Sequence, residues 1–510
     1  MKEQLLIGVD LGTSATKASL YRLDGSLVAE ASREVPLYYP TAGVVEQENL
    51  DFYHTAAATV RQCVEQSGVD ARSIAAIAFD SQMAGLGSID EAYKPATRFD
   101  SWLDMRCQPY IELMEQEAGD RVTELTGCAP TCDAGPKMLW WKHERPEEYA
   151  RIAKFLMPAA FVAGSMAGLT ADQAFIDYTF IHFSGFSDSE SLSWSDELCQ
   201  RFGLAKEKLP QIVEPWKVIG EVRKAAAREF GLAEGTLIAA GCGDTAACAL
   251  GAGVVRPGML FDSAGTAAVL AACTDRFVAD QRHRALLCMH SVIPGIYHPL
   301  AYIAGGGLAL RWFRDQFYNV HRGHSETATA ELYDEMIASV TSIKPGADGL
   351  FFSPHLGGRI CPSAPGMRGA WVGFSWGHSQ VHFLRAVLES VAFEYAYYLE
   401  VLKDQIPDLQ LFETRAVGGG ARSTIWNQIK ADVLGIPYQR LRRSEFGTWG
   451  CALIAGRAAG LFGDLALHAF ESTQLDGDPI APDPDNHQRY APITKKYIQL
   501  ERTVQQYFQE

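Results

Sequence analysis

The sequence predicts an α/β protein made of two related halves that face one cleft. Its first 80 residues begin with three short strands, joined by tight turns at 12–14 and 24–25, and continue with a helix and a further strand. A second strand–turn–strand unit with a similar Gly-Thr turn lies at 258–272, which indicates an internal repeat. No linker rich in Pro, Ser or Gly separates the halves, so we place the boundary at 234–236 and expect the two domains to close over a shared cleft.

This division gives three units. Residues 1–234 form the first domain, residues 235–475 form the second, and residues 476–510 form a tail that packs back on the body. A stretch rich in Pro and Asp at 474–487 predicts an excursion over the surface, and the pattern of residues 493–508 predicts a helix.

Length and composition exclude several classes of protein. The chain has 510 residues, of which 47% are hydrophobic and 21% are charged, as in globular proteins. Its net charge of −16 repels nucleic acid and anionic lipid at long range, although backbone N–H groups can still form a local anion site. Eleven scattered cysteines predict buried thiols in a reducing cytoplasm, and the first residues show no signal peptide. Pro and Gly interrupt the uncharged stretches 155–171 and 285–310, which we expect to be buried strands and loops rather than membrane spans.

The turn after the first strand is a candidate phosphate site. Asp10 ends the strand, and Gly12, Thr13 and Ser14 form a turn whose N–H groups and hydroxyls can donate to an anion. Asp10 can hold Mg²⁺ through water, because this ion keeps most of its hydration shell. A plain hairpin with a local Asx turn explains the same residues and stays open at this point.

The segment after the predicted strand 237–240 carries a candidate general base. Gly241 and Gly243 let a substrate approach the backbone, and Asp244 can accept a proton from a hydroxyl at the start of a helix. An N-cap role for Asp244 is the alternative, and the two roles are compatible. Capping and the helix dipole are expected to keep Asp244 ionised and weakly basic. Phosphoryl transfer tolerates a weak base because it depends mainly on positioning and charge neutralisation.

Glycine-rich turns recur in the second half. Residues 418–420 follow a predicted strand at 414–417 and allow a flat ring to lie against the backbone, unless they form only a tight turn. A similar weak signal at 305–307 precedes a predicted helix at 308–317. The apolar stripe of a predicted helix at 381–403 indicates core packing. The chain contains neither a Walker A loop nor a G-x-G-x-x-G run after a strand.

Together these segments resemble the FGGY carbohydrate kinases, which phosphorylate sugars and polyols with ATP. The resemblance is strongest at residues 369–374, followed by His382-Phe383 and residues 386–389, whose spacing is similar to the C-terminal signature of the family. A less complete match to the first signature lies near Lys137. The resemblance extends from Asp10 through Gly450. It implies two actin-like ATPase (ribonuclease H-like) domains flanking a deep cleft, with sugar mainly on the first and ATP mainly on the second.

The resemblance also implies the residues of a nucleotide site. Asp244 is the implied catalytic base, and Asp10 and Asp244 are the implied positions of Mg²⁺. The implied contacts with ATP are Gly12, Thr13, Ser14, Lys17, Gly265, Thr266, Gly306, Gly419, Gly420, Ala421 and Asn427.

The substrate loop at 81–85 resembles that of the xylulokinases within the family, as do the segments 43–47 and 102–106. The implied sugar-binding residues are Gln82, Met83, Ala84, Trp102, Asp104 and Asp244. A His usually stands at the position of Ala84, and its loss removes a hydrogen bond to the sugar. Because sites built on hydroxyl contacts discriminate strongly, this departure leaves the sugar open. Asp104 is expected to meet a sugar hydroxyl, with a surface salt bridge to Arg106 as the alternative.

We therefore expect an ATP-dependent kinase that transfers the γ-phosphoryl group to a hydroxyl of a xylulose-like pentulose. A kinase of another ketose or polyol, such as ribulose, fuculose, erythritol or glycerol, stays open, although glycerol kinases usually carry Arg-Glu where this chain has Met83-Ala84. A non-catalytic actin-like ATPase is a third hypothesis, which does not explain the FGGY signature. The expected partners are the sugar and ATP, in the cytoplasm, without nucleic acid or membrane. Relatives include homodimers, but no segment identifies an interface.

Overall fold

A computed structural model describes residues 4–318 and 329–508 of the chain. Two mixed β-sheets dominate it, and helices pack against both. The strands of the first sheet are β1 (Leu5–Leu11), β2 (Ala15–Arg22), β3 (Leu27–Glu34), β4 (Ile74–Ser81), β5 (Val218–Glu221), β6 (Leu237–Ala239) and β7 (Cys242–Gly243). Those of the second sheet are β8 (Met259–Ala264), β9 (Ala268–Ala272), β10 (Leu287–His290), β11 (Tyr297–Ile303), β12 (Glu413–Val417) and β13 (Tyr438–Arg440).

The two sheets repeat one topology. The first has the order β5-β6-β4-β1-β2-β3, with β7 added beside β4, and the second has the order β10-β11-β9-β8-β12-β13. In the first sheet β1 is antiparallel to β2 and parallel to β4. In the second sheet β8 is antiparallel to β9 and parallel to β12. The internal repeat predicted from the two Gly-Thr turns is confirmed by this pairing, since each turn joins the antiparallel pair of its own sheet.

Seven helices are numbered here. They are α1 (Asn49–Ser67), α2 (Asp244–Gly251), α3 (Gly306–Phe313), α4 (Gln380–Gln405), α5 (Thr424–Leu434), α6 (Phe446–Ala458) and α7 (Pro484–Tyr507). Other described helices span Gln108–Thr126, Ala134–Glu144, Pro146–Arg151, Pro158–Ala167, Asp196–Phe202, Lys224–Phe230, Thr329–Ser339 and Leu465–Glu471. Short strands outside the two sheets span Glu46–Gln47, Gly87–Ile89, Phe99–Asp100, Lys154–Leu156, Phe175–Asp177, Ser187–Asp188, Ser193–Trp194, Gln211–Val213, Phe351–Ser353 and Ala370–Val372.

Three predicted elements differ from the structure. The stretch 155–171, expected to contain only strands and loops, holds the buried helix Pro158–Ala167, because a Pro in the first turn fits a helix start and Gly168 ends the helix in a left-handed conformation. Helix α3 begins and ends earlier than the predicted 308–317 and is followed by a π-helical turn. Helix α7 begins at Pro484 instead of residue 493, since Asp483 caps it by accepting from the Asn486 N–H.

The apolar stripe predicted for 381–403 is confirmed as core. Its residues on α4 are all buried: Leu384, Leu388, Val391, Tyr395, Tyr398 and Leu402. A buried polar contact adds to this packing, because Asp262 on β8 accepts from the Tyr395 hydroxyl at 2.8 Å and pairs with Lys430 on α5. Helices α4 and α5 are therefore fixed to the central strand of the second sheet by both apolar and charged contacts.

Helix α6 follows the second sheet in the chain but packs on the first. Glycines make this close approach possible: a Cβ on Gly8 of β1 would lie 1.8 Å from the Thr448 carbonyl oxygen. A Cβ on Gly450 of α6 would lie 2.1 Å from the Ala247 oxygen of α2. Such distances exclude any side chain at these positions. Helix α6 is thus wedged against the strand and the helix that carry the candidate catalytic residues.

Strands β6 and β7 lie beyond the predicted boundary at 234–236, yet both pair with β4 in the first sheet. We therefore propose that the boundary between the two domains lies later in the chain, after helix α2.

Among the described helices, none has the length and apolar character that crossing a membrane requires.

Candidate active site

The first turn lies at the end of the central strand β1. Asp10 stands beside Asp80 of β4 and opposite Lys17 of β2 in the strand register. The Lys17 ammonium forms an ion pair with Glu445 at 2.8 Å, so it is already partnered in this structure. The Gly12 N–H donates to the Ala15 carbonyl inside the turn at 3.1 Å, so the predicted anion site must use other N–H groups of the turn.

Asp80 is a residue that the sequence analysis missed. It is fully buried at the end of β4, and one of its oxygens accepts from the Cys451 thiol of α6 at 3.2 Å. Its other oxygen has no donor among the described residues. Burial, together with Cys451, Asp10 and Asp244 nearby, raises the pKa of Asp80 well above its usual value. Asp80 therefore holds a proton more readily than an exposed carboxyl group does.

Asp244 lies at the junction of β7 and α2, in the first turn of the helix. The N-cap residue is Gly243 instead of Asp244, whose carboxylate accepts from the N–H of Thr245 at 2.6 Å and from its hydroxyl at 3.1 Å. Burial and, secondly, the charge of Asp10 raise the pKa of Asp244 to about 7. The expectation that capping keeps this group ionised and weakly basic is therefore wrong, because burial beside another carboxylate outweighs the helix dipole.

The predicted sugar loop contacts both the base segment and the phosphate turn. The Met83 side chain packs against Gly243, where an added Cβ would lie 2.6 Å from the methionine methyl group. The Trp102 indole N–H donates to the Thr13 hydroxyl at 2.9 Å, and that hydroxyl donates to the side-chain amide oxygen of Gln82 at 3.4 Å. Met83, Gln82 and Trp102 are thus brought together with Thr13 and the residue before Asp244.

Gln47 completes this hydrogen-bonded group, although it was not among the predicted site residues. Its amide oxygen accepts from the Gln82 amide at 2.7 Å, and its own amide donates to the Thr13 carbonyl at 3.0 Å. The available signal was the resemblance of residues 43–47 to a xylulokinase segment.

Ala84 adopts a left-handed conformation with φ of 59°. The ammonium of the buried Lys137 holds this peptide by donating to the Ala84 carbonyl at 3.1 Å. The same ammonium donates to the Cys132 carbonyl at 3.1 Å. A left-handed alanine is strained, and contacts of this kind are what keep it in place. Lys137, noted in the sequence only as part of a signature, therefore shapes the sugar loop.

Asp104 differs from its prediction. It is buried, and its carboxylate accepts from the Val45 N–H at 2.8 Å and from the Arg106 N–H and guanidinium at 3.1 and 3.0 Å. The predicted alternative, an ion pair with Arg106, is present, but it is buried instead of at the surface. Both carboxylate oxygens are engaged, so these contacts indicate a positioning role in place of the expected contact with a sugar hydroxyl.

The second Gly-Thr turn forms a separate cluster on the second sheet. The Gly265 and Thr266 carbonyls accept from the N–H groups of Gly307 and Leu308, each at 3.0 Å. Gly306 packs so closely on β9 that a Cβ there would lie 2.4 Å from the Ala268 side chain. The glycines before α3 therefore let that helix begin directly on the turn.

The third glycine-rich turn adjoins the same cluster. Gly418 has φ of 79° and ψ of −173°, a conformation open essentially to glycine alone, and Gly420 packs on Ala264 at the end of β8. A Cβ on Gly419 would meet no atom within 4 Å, so this turn has open space beside it. Asn427 is buried and donates to the Ala421 carbonyl at 2.8 Å, which supports the turn from below.

The candidate residues thus form two clusters, one on each sheet. The first cluster lies on the first sheet and consists of Asp10, Thr13, Lys17, Gln47, Asp80, Gln82, Met83, Trp102 and Asp244. The second cluster lies on the second sheet and consists of Gly265, Thr266, Gly306, Gly418, Gly419, Gly420, Ala421 and Asn427. Hydrogen bonds connect Thr13, Gln47, Gln82 and Trp102 in the first cluster, and others connect the Gly265 turn to the start of α3 in the second. Between the described residues, no hydrogen bond runs from one cluster to the other. Helix α6, which follows β13 of the second sheet in the chain, lies against the first cluster: Glu445 at its start pairs with Lys17, and its body packs on β1 and α2.

Two family models together match most of the chain. The N-terminal domain model of the FGGY family of carbohydrate kinases matches residues 5–251, and its C-terminal domain model matches residues 262–459. The chain belongs to the FGGY family of carbohydrate kinases. It is therefore an enzyme, a phosphotransferase that acts on a carbohydrate.

Curated relatives and solved structures agree with this assignment. The kinase is 28% identical to "Xylulose kinase" of Bacillus subtilis (strain 168), over 96% of this chain and 95% of the relative. It is 26% identical to "Gluconokinase" of the same strain, over 98% of this chain and 96% of the relative. The crystal structure of gluconate kinase from Lactobacillus acidophilus superposes with a TM-score of 0.90 and 22% identity, covering 99% of each chain. The fold is that of two actin-like ATPase domains.

The first cluster holds three buried acidic side chains whose oxygens are candidate ligands for a magnesium ion. Burial raises the pKa of Asp10, Asp80 and Asp244, and the charge of Asp10 adds to the rise at Asp80 and Asp244. One oxygen of Asp80 lacks a donor among the described residues. Carboxylate oxygens are the ligands that Mg²⁺ prefers, so Asp10 and Asp244 stay the predicted positions of this ion.

Proposed function

We propose that this kinase transfers the γ-phosphoryl group of ATP to a hydroxyl of a pentulose similar to xylulose. The observation that carries the proposal is the position of Asp244, a carboxylate with a pKa near 7, which begins α2 between the Asp10 turn and the Met83 loop. A base with a pKa near the working pH combines a useful ionised fraction with a useful proton affinity.

In the proposed reaction, the sugar hydroxyl loses its proton to the Asp244 carboxylate while its oxygen attacks the γ-phosphorus in line. The bond between the γ-phosphorus and the bridging β–γ oxygen breaks, and ADP leaves with that oxygen. Asp244 orients the alcohol and holds the proton. Positioning of this kind provides most of the rate in phosphoryl transfer.

The first cluster is the proposed sugar site. Gln82 and Trp102 present an amide and an indole beside the Thr13 hydroxyl, and Met83 provides an apolar wall next to Gly243. Asp10 and Asp244 would hold Mg²⁺, which neutralises charge on the phosphates when it is bound. Lys17, released from Glu445, is a second candidate partner for phosphate oxygens.

The second cluster is the proposed ATP site. The open space at Gly419 and the turn at Gly265 and Thr266 present backbone where a purine and phosphates can approach closely. Gly306 acts by packing on β9, which lets α3 begin directly on that turn. Asn427 supports the turn by donating to the Ala421 carbonyl.

All eleven cysteines are free thiols, which supports the proposed cytoplasmic location. A homodimer stays a prediction.

The second candidate substrate is gluconate or a ketose other than xylulose, and it is favoured by Ala84. Its methyl group stands where an imidazole is usual in xylulokinases, and relatives of similar identity include both xylulose kinase and gluconokinase. A non-catalytic actin-like ATPase does not fit a chain that both kinase family models match.

The test is an ADP-release assay over a panel of ketoses, aldoses, polyols and aldonates. We expect the highest kcat/KM for a pentulose, and Ala84→His should raise kcat/KM for xylulose by supplying the missing donor, because His tolerates the left-handed conformation better than most residues. Turnover of gluconate at least tenfold above every ketose would replace the pentulose in this proposal. ADP release that no member of the panel stimulates would contradict the proposal.

A further inference from the structure

A buried group of three potential metal ligands lies away from the candidate active site. His355 follows the strand Phe351–Ser353, Glu394 lies in the middle of α4, and Glu501 lies in the C-terminal helix α7. The exposed fractions of their side chains are only 1%, 1% and 3%. Three distant parts of the chain thus bring one imidazole and two carboxylates into the interior of the second domain.

The distances between the ligand atoms suit a small cation. The His355 Nε2 atom lies 3.5 Å from a Glu394 oxygen and 3.7 Å from a Glu501 oxygen. One ligand atom from each residue falls within 4.8 Å of the other two. Tetrahedral zinc with bonds of about 2.0–2.2 Å places neighbouring ligand atoms about 3.3–3.6 Å apart. Two of the three distances between ligand atoms, those from His355 to Glu394 and to Glu501, are therefore close to the values that zinc requires.

Two of these polar atoms lack a hydrogen bond among the described residues, although His355 Nε2 lies within ion-pair distance of both carboxylates. His355 Nε2 and Glu501 Oε1 are buried and make no hydrogen bond among the described residues. Leaving such groups unpaired costs about 1–3 kcal/mol each, so buried polar atoms normally have partners. A cavity of about 40 Å³ adjoins Glu394 and Glu501, which leaves room for a water molecule as a fourth ligand.

Outer contacts hold the two carboxylates in orientation. Arg359 donates to one Glu394 oxygen at 2.8 Å, and the Tyr497 hydroxyl donates to the other at 3.1 Å. Ser353 donates to Glu501 at 3.2 Å. Partners of this kind are typical around metal ligands. With both carboxylates ionised and His355 neutral, as ligands to a metal ion, these three residues and Arg359 carry a net charge of −1, which a divalent cation offsets.

We propose that His355, Glu394 and Glu501 bind one divalent transition-metal ion, with Zn²⁺ as the best fit, which fastens helix α7 to helix α4. An imidazole nitrogen with two carboxylate oxygens favours zinc over Mg²⁺ or Ca²⁺, which select oxygen ligands alone. The site is structural and lies outside the transfer reaction. None of its three residues belongs to either candidate cluster.

The test uses the full chain, stripped with a chelator and titrated with Co²⁺ in excess Mg²⁺, which occupies the oxygen-only sites. We expect about one equivalent of Co²⁺ to give visible d–d absorption, Zn²⁺ to displace it, and Zn²⁺ to raise the Tm. His355→Gln and Glu501→Gln should each lower the affinity for Co²⁺ at least tenfold. His382→Gln is the matched control, because this histidine pairs with a single carboxylate, Asp348, near the surface.

Folding of each variant is checked by circular dichroism, and X-ray absorption of the Zn²⁺-loaded wild-type chain is an independent measurement that needs no variant. It should show one histidine nitrogen with oxygen ligands. Absence of Co²⁺ absorption in the wild-type chain, equal affinity in all three variants, or an all-oxygen shell would overturn the proposal.

Discussion

Asp244, the proposed catalytic base, combines its place at the start of α2 with an unusual proton affinity. Burial and the neighbouring Asp10 raise its pKa to about 7, so its ionised fraction changes steeply around neutrality. A proton acceptor must be ionised to act. The pH at which activity appears is therefore set by the surroundings of one residue.

We predict that kcat/KM for the sugar falls below pH 7, with an apparent pKa close to 7, and reaches a plateau above it. Bound Mg²⁺ and ATP shift the corresponding limb of kcat to lower pH, because the added cation favours the carboxylate. Steady-state profiles between pH 5 and 9 check this. A flat profile down to pH 5 would contradict the raised pKa.

Asp244→Asn should stabilise the fold at pH 8. The folded chain keeps a proton on Asp244 between the usual pKa of 3.8 and about 7, where the unfolded chain has released it. The free energy of unfolding contributed by this group therefore falls as pH rises through that window. An amide carries no such cost and can still accept from Thr245, so we expect a gain of about 1–3 kcal/mol.

Urea denaturation of both proteins at pH 8 and pH 4 measures this gain, which should disappear at pH 4. Asp404→Asn, at an exposed carboxylate, is the control and should change stability by less than about 0.5 kcal/mol. Equal stability of Asp244→Asn and the wild-type chain at pH 8 would count against a buried carboxylate with a raised pKa.

Sequence patterns located the principal candidate residues but not their charge states. Asp10, Asp244 and the Gly-Thr turns were visible because strand ends and turn chemistry are local features. Asp80 and Gln47 were missed because their roles depend on pairing with distant segments, Cys451 and Thr13. The pKa of Asp244 was misjudged because a helix start can be read from sequence, whereas burial beside another carboxylate cannot.

At the scale of elements, helix α6 positions the first cluster. We predict that Gly8→Ala forces α6 away from β1, because the new methyl group would lie 1.8 Å from the Thr448 carbonyl oxygen. Backbone cannot move aside as a flexible side chain does, so the cost should reach about 3 kcal/mol or more. Turnover should fall in parallel, since Glu445 and Cys451 move with the helix.

Thermal unfolding and ADP release measure both effects. Gly463→Ala is the matched control, since a Cβ there meets no atom within 4 Å. A Gly8→Ala protein with wild-type Tm and turnover would show that the contact between β1 and α6 is looser than described.

The glycine-rich turn after β12 permits a complementary test. Gly419→Val fills space that is open in the structure, so we expect an intact fold, a KM for ATP raised about tenfold and an unchanged KM for the sugar. Gly463→Val is the control. An unchanged KM for ATP would remove Gly419 from the proposed nucleotide site.

Periodicity and turn residues predicted the repeated strand–turn–strand units and the core helix α4. Packing of α6 across the chain could not be predicted, because it depends on glycines at residues 8, 251 and 450 that look ordinary in isolation. The helix Pro158–Ala167 was missed because its Pro was interpreted as a break, whereas it stands at the helix start.

For the whole molecule, the repeated topology places one Gly-Thr turn at the end of the central strand of each sheet. Two domains of the same fold can then present backbone to one nucleotide and a carboxylate to one sugar. In the proposed mechanism, domain closure would exclude water, which competes with the sugar hydroxyl for the phosphoryl group. The family assignment establishes the reaction class, and the loop around Ala84 is the proposed determinant of the substrate.

The most direct test of the central claim is single-turnover transfer from γ-labelled ATP in wild-type protein and Asp244→Asn, with ATP and sugar affinities measured by calorimetry. We expect ATP affinity within about threefold of wild type, a folded protein, and labelled sugar phosphate formed about 1000-fold more slowly or not at all. Transfer at close to the wild-type rate in a correctly folded Asp244→Asn protein would contradict the role of this carboxylate.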